Sequence, residues 1–176
     1  MIIFLAAILS IAQSAVPQQT TQPPAQPRPN PCEAAEFRQF DFWIGDWTVK
    51  GPQGAQLGTN RIERFAGNCG LQENWTGALG GSGKSLNTYQ RSDTKWHQVW
   101  VGMGGGVLHL AGGLRGSAMV LEGTSPGPNG TTVLNRVTWT PLEDGRVRQF
   151  WETSADNNAT WTASFDGYYS KVARAN

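Results

Sequence analysis

Charge is scarce in this chain. Of its 176 residues only 15% are Asp, Glu, Lys or Arg, and the formal net charge is +1. That balance gives neither the basic footprint of a nucleic-acid binder nor the acidic run of a solvating tail. Histidine and cysteine are nearly absent, with two of each. No nucleophile-elbow phrase and no recognisable catalytic triad is present. Runs rich in Ala, Glu and Lys are missing, and strand-like segments never alternate with helical ones, which excludes a doubly wound α/β fold. The longest apolar block, MIIFLAAILSIAQSA at residues 1–15, is shorter than the ~20 residues a membrane helix needs.

Glycine and tryptophan are what the chain has in excess, 22 and 8 residues. That usage leans towards β structure. The block at 1–15 is followed by small residues, with cleavage sites after Ala12 or Ala15, and reads as a signal peptide. No Lys or Arg precedes it, so the α-amino group alone charges its start; the alternative is an uncleaved N-terminal anchor. The expectation is an exported protein, periplasmic or secreted, with no integral membrane span after processing. Residues 16–31 hold six of the ten prolines and read as an extended Pro/Gln-rich linker. Residues 32–173 are then the folded domain. Export makes Cys32 and Cys69 a candidate disulfide; two buried free thiols are the alternative.

Asn30-Pro31-Cys32-Glu33 is a helix start, with Asn30 as cap, Pro31 at the first position and Glu33 completing a capping box. A short helix through about Gln39 is expected. From Trp47 onward the period is two. Strand-like runs lie at about 47–51, 58–66, 71–79, 84–91, 95–103, 107–115, 117–124, 131–140, 145–154 and 160–171. Turn signals separate them, among them Gly67-Asn68, Gly80-Gly81, Gly104-Gly105-Gly106 and Asp156-Asn157-Asn158. Short connections make successive strands antiparallel. Ten such strands without intervening helices predict a sandwich or an up-and-down barrel.

One phrase competes with this reading. ALGGSGKS, Ala78 to Ser85, fits the loose phosphate-loop pattern. That chemistry needs a buried strand before the loop and a helix after it. Here both neighbours are strand-like, so the phrase is a glycine-rich hairpin loop and no nucleotide is expected.

FDFWIGDW, Phe40 to Trp47, ends the helical segment and opens the first strand. Gly45-x-Trp47 at the entry to many antiparallel strands resembles the lipocalin-like (calycin) superfamily. The whole phrase resembles a bacterial lipocalin-like family of unknown function that begins F-D-F-W-x-G-x-W. GKSLNTY, KWHQVW and RQFWETSAD followed by TW are similar to that family as well, and the resemblance covers about residues 40–171. It implies one up-and-down barrel, like the lipocalins and fatty-acid-binding proteins, after a short N-terminal helix. It also implies that Trp47, behind Gly45, plugs one end, with Lys171 or Arg148 covering it. A second phrase, Ser154-x-Asp156-x-Asn158-x-Thr160-Trp161, is similar to the Asp-box turn of sialidase-type propellers. A single copy makes a turn and no propeller.

Alternation shows which residues share a face. Glu73 shares one with Trp75, Asn87 with Tyr89, Trp96 with Gln98 and Trp100, and Gln149 with Trp151. If these faces point inward they form a pocket with aromatic walls and a few hydrogen-bonding groups, the usual make-up of a small-molecule site. If not, they are ordinary core aromatics. The opposite register carries His97, Val99 and Val101, with His109 one hairpin away and Met103 nearby. These lack a third nitrogen or thiolate at metal spacing, so neither metal nor cofactor is expected. Glu63, Glu73, Glu122 and Glu152 are the carboxylates available for acid–base work. Sequons stand at Asn74, Asn129 and Asn158 and carry no weight in a Thr-rich chain. The leading expectation is an exported binding protein for a small apolar or amphipathic molecule. The runners-up are a barrel enzyme using Glu73 or Glu152, and a structural or partner-binding envelope module with a filled interior.

Overall fold

Residues 30–173 are described by the computed structural model of the chain. The expected signal peptide at 1–15 and nearly all of the linker at 16–31 lie outside them. Ten strands follow one another: β1 Gly45–Lys50, β2 Gln56–Phe65, β3 Gly70–Gly77, β4 Ser82–Gln90, β5 Lys95–Gly102, β6 Val107–Arg115, β7 Ala118–Pro126, β8 Thr132–Pro141, β9 Val147–Ser154 and β10 Thr162–Lys171. Each pairs antiparallel with its neighbour in sequence, and β1 closes on β10 through Trp47, Thr48, Val49 and Lys50, opposite Lys171, Ser170, Tyr169 and Tyr168. The fold is the expected closed up-and-down barrel. Among the described residues no helix is long and apolar enough to cross a membrane.

The period-two pattern is visible in burial. In β2, Gly58, Asn60 and Ile62 are buried while Thr59, Arg61 and Glu63 are exposed. Arginines face outward and tie strands to one another. Arg148 forks onto Asp166 at 2.8 and 2.9 Å, and Glu122 receives both Arg136 and Arg115. The loops hold their own polar groups. Ser154 Oγ donates to Asp156 Oδ1 at 2.8 Å, and that carboxylate accepts from the N–H and hydroxyl of Thr160. The Thr160 bonds hold Asp156 down at about 2. The Asp-box-like phrase is therefore a closed turn, with Asn157 and Asn158 in the left-handed region at φ 56° and 76°.

The N-terminal segment differs from the single short helix expected through Gln39. It forms three 3₁₀ turns, Pro31–Glu33, Ala35–Arg38 and Asp41–Trp43, with Ala34 extended between the first two. Asn30 does cap, accepting from Cys32 N–H at 3.0 Å. Phe37 from the second turn, Trp43 from the third and Phe40 from the link between them are all buried, so the broken winding delivers three rings to the barrel.

The segment is fastened to the barrel on several sides. Cys32 and Cys69 are disulfide-bonded across 37 residues, with Cα atoms 4.9 Å apart. Arg38 donates to the carbonyls of Cys32 and Asn68 at 2.8 and 2.6 Å. Trp96 Nε1 donates to Glu36 O and Gln39 Oε1, each at 3.2 Å. So anchored, the segment drives an aromatic plug into one barrel end. Phe40 stacks on Trp43 at 5.0 Å and meets Trp139 and Trp96 edge-on, while Trp43 contacts Trp139 and Tyr169. Trp47 is buried beside Tyr169 and donates Nε1–H to Trp43 O at 2.9 Å. Lys171 Nζ sits 5.4 Å from the centre of the Trp47 ring; Arg148 is engaged with Asp166 and stacks on Phe150 instead.

Because Trp43 and Trp47 fill the same end, truncating either leaves a void that the fixed barrel wall does not collapse into. Trp43→Ala and Trp47→Ala should each cost about 3–5 kcal/mol. Lys171→Ala, which removes one exposed cation–π contact, should cost at most about 1 kcal/mol. Urea denaturation of the three variants checks this. A Trp43→Ala midpoint close to that of Lys171→Ala removes Trp43 from the plug.

Candidate functional site

All four faces singled out in the sequence point inward. Above the plug they leave a cavity of about 200 Å³. Its walls are Trp75 from β3, Trp100 from β5, Trp151 from β9 and Phe165 from β10, with Leu108 and Val137 between them; its polar groups are Glu73, Gln98, Gln149 and Tyr169. Phe165 meets Trp75 edge-on at 5.9 Å, and the Trp151 indole N–H is held by Asn135 Oδ1 at 3.0 Å. A bulge in β10 between Ala163 and Phe165 sets Phe165 opposite Trp151, so both rings enter the cavity.

Glycine makes room for these rings. A Cβ on Gly83 would lie 2.2 Å from the Trp100 ring, and one on Gly58 would lie 2.7 Å from the Trp75 ring. Each tryptophan thus lies across the bare backbone of a neighbouring strand. Gly83 belongs to the ALGGSGKS phrase, whose turn spans 78–81 and whose remaining residues start β4. The glycine of that phrase seats a tryptophan. Lys84 faces outward and is exposed.

Between cavity and plug lies a polar network. Glu73 Oε1 accepts from Asn60 Nδ2 at 2.7 Å, and Oε2 accepts from Ser85 Oγ at 2.7 Å. Asn87 Nδ2 donates to Ser85 Oγ at 2.9 Å, and Gln98 Nε2 donates to Asn87 Oδ1 at 2.8 Å. On the other side Asn60 Nδ2 also reaches Tyr169 OH at 3.3 Å, and Tyr169 donates to Gln149 Oε1. The network thus runs from β9 through β10, β2, β3 and β4 to β5. It satisfies buried polar atoms that would otherwise cost the barrel free energy.

Glu73 is the one carboxyl in this network, and it is 4% exposed. Burial raises its pKa to about 7, against the opposing pull of hydrogen bonds from Ser85 and Asn60. Among the described residues no Lys or Arg pairs with it. Burial, with the negative charge of Glu73 beside it, also holds the Tyr169 hydroxyl well above its ordinary value. The other carboxylates weighed from sequence stand outside: Glu63 pairs with Arg61, Glu122 with Arg115 and Arg136, and Glu152 lies 3.9 Å from Arg136. His97 bonds Asp93 at 2.8 Å, His109 is exposed, and Met103 is exposed in the β5–β6 loop, so the three do not converge.

Of the nine residues expected to meet a ligand, Glu73, Trp75, Gln98, Trp100, Gln149 and Trp151 border the cavity. Asn87 is buried one bond behind it. Tyr89 and Trp96 point inward too, but at the plugged end, where Tyr89 meets Phe37 and Trp96 meets Phe40. They do not border the cavity, because the N-terminal turns occupy that level. Sequence reasoning missed Asn60, Ser85, Phe165 and Tyr169. Alternation in β2 and β10 would have exposed Asn60, Phe165 and Tyr169, which share inward faces with Ile62 and Gly167.

The raised pKa of Glu73 has a definite sign in folding. Between its ordinary value and about 7, the folded state holds a proton that the unfolded chain has released. Its contribution is therefore fully present at acid pH and is lost as pH rises through about 7. Glu73→Gln should remove that slope, so the stability difference between wild type and variant changes by about 3 kcal/mol from pH 4.5 to 7.5. Chemical denaturation across that range measures it. A constant difference would mean that Glu73 titrates normally.

Comparison with known protein families finds none that matches the chain, and no curated protein matches it.

Proposed function

We propose that this chain is an exported carrier that holds one small apolar or amphipathic molecule inside its barrel. In this reading it is a lipocalin-like protein of the kind that FDFWIGDW resembles. The observation that carries the proposal is the cavity itself: tryptophans on several sides, a polar floor, and a barrel end closed beneath it. A filled structural barrel would have no reason to keep bulky rings apart at one level while packing them tightly at another. Small-molecule sites combine apolar walls with a few placed polar groups in this way.

Volume limits the molecule. A cavity of about 150 Å³ admits one benzene ring. About 200 Å³ therefore suits one ring with a short polar arm, and a long acyl chain would have to protrude from the mouth. Export is supported by the apolar block at 1–15 and by the Cys32–Cys69 disulfide, which persists in oxidising compartments. One observation favours the enzyme reading as well: a carboxyl with a pKa near 7 in a cavity suits general acid–base work. That reading now rests on Glu73 alone, since Glu152 faces outward beside Arg136.

Tryptophan fluorescence titrated with a panel of neutral one-ring and two-ring compounds tests the carrier. Trp100→Phe and Trp151→Phe, which keep most of the apolar bulk, should each weaken binding roughly threefold to tenfold, or up to about 1.4 kcal/mol. Native mass spectrometry of protein from its own source should find a co-purified small molecule. No binding by wild type and no co-purified molecule would favour the filled structural module.

A further inference from the structure

The cavity floor carries a charge problem that the protein does not solve by itself. Glu73 is enclosed, its two oxygens accept from Asn60 and Ser85, and among the described residues no cation of the chain pairs with it. A carboxylate oxygen has more than one acceptor site, so capacity remains on the side that faces the cavity. The groups packed around it are neutral: Asn60 from β2, Ser85 from β4, Gln98 from β5 and Gln149 from β9. Tyr169 from β10 is the one other titratable side chain there. Gln98 spends its amide N–H on Asn87 and Ser85, and no hydrogen bond among the described residues occupies its carbonyl oxygen. The floor thus offers acceptors in excess of donors.

The walls have the same preference. The face of an indole ring is electron-rich and attracts a cation. Trp75, Trp100 and Trp151 line the space above Glu73, and among the described residues arginines supply cation–π contacts only elsewhere: over Phe37, Trp161, Tyr168 and Phe150. An anionic ligand would meet the charge of Glu73 head-on. A neutral ligand would supply that charge no partner beyond those it has in the empty cavity.

We propose, building on the carrier reading, that the ligand is a small organic cation: a primary or secondary amine on an aromatic or compact apolar body. Its ammonium sits on the Glu73 carboxylate and the free carbonyl of Gln98, and its apolar body lies between Trp75, Trp100 and Trp151. The ammonium replaces the water that burial removed from Glu73. Binding therefore holds Glu73 ionised, and the proton that it carries below about pH 7 is released when the amine enters.

Phenethylamine and phenethyl alcohol test the idea as a pair, because they match in size and differ in charge. Both are titrated calorimetrically into wild type and into Glu73→Gln. At pH 7.5 the amine should bind wild type at least tenfold tighter than the alcohol. In Glu73→Gln that preference should disappear through loss of amine affinity, and a circular dichroism spectrum and thermal melt like those of wild type certify that the variant is folded. In wild type alone, amine affinity should rise about tenfold per pH unit between pH 5 and 6 and level off above about 7, while the alcohol stays nearly flat. This pH profile decides the matter even if Glu73→Gln does not fold. If the alcohol binds and the amine binds no tighter, or the amine shows no pH dependence, the amine proposal is overturned and the carrier reading stands. If neither compound binds wild type, both are overturned.

Discussion

A ten-stranded closed barrel encloses more space than its own inward side chains fill, and the rest of this structure follows from how that space is divided. Barrel diameter grows with strand number, and about eight strands already give an interior that side chains just fill or that holds one small ligand. Here one end is filled from outside the sheet. Phe37, Phe40 and Trp43 come from a segment that joins no strand, and they are held down by the disulfide to Cys69 and by the Arg38 and Trp96 hydrogen bonds. Filling one end leaves the volume at the other level unfilled. The cavity is thus a consequence of where the N-terminal segment stops.

The boundary between the two levels is polar, and this too has a physical cause. Asn60, Glu73, Ser85, Asn87, Gln98, Gln149 and Tyr169 each need partners once buried, and they find them in one another across six strands. Such a network is worth having only if nearly complete, since each orphaned group costs about 1–3 kcal/mol. Among the described residues, two buried indole N–H groups, those of Trp43 and Trp139, find no acceptor, and Asn60 Oδ1 finds no donor. The plug therefore favours ring packing over complete hydrogen bonding, while the floor above it is nearly satisfied.

Much of this was legible because the signals were local. All ten strands were placed to within a few residues, since strict alternation and glycine or asparagine turns need no knowledge of distant chain. The same periodicity grouped the residues that share a face on β3, β4, β5 and β9, while which face points inward stayed open until the barrel was seen to close. Height along the barrel axis was not legible. Tyr89 and Trp100 lie on equivalent inward faces, yet one packs against the plug and the other borders the cavity. What separates them is the depth reached by residues 37–43, a non-local matter of docking. The helix was misjudged for a related reason: the local capping signal at Asn30 was real, but the segment breaks at Ala34 and Phe40 where it docks on the barrel. Ser85 was legible too, since the strand-like run at 84–91 puts it on the same face as Asn87 and Tyr89.

Glu73 is the element that folding does not explain. Its neighbours offer hydrogen bonds that a glutamine would partly use, and among the described residues no ion pair depends on it. A buried carboxyl without a cation opposes the native state at neutral pH, because its ionised form has lost water and gained only neutral donors. Half-buried carboxylates elsewhere among the described residues are paired: Asp41 with Arg64, Glu122 with two arginines, Asp166 with Arg148. The exception stands at the floor of the cavity, facing three tryptophans. Polar groups that cost stability and border an enclosed space are accounted for most economically by what enters that space. A cation entering there would convert the least favourable charge of the barrel into its best paired one.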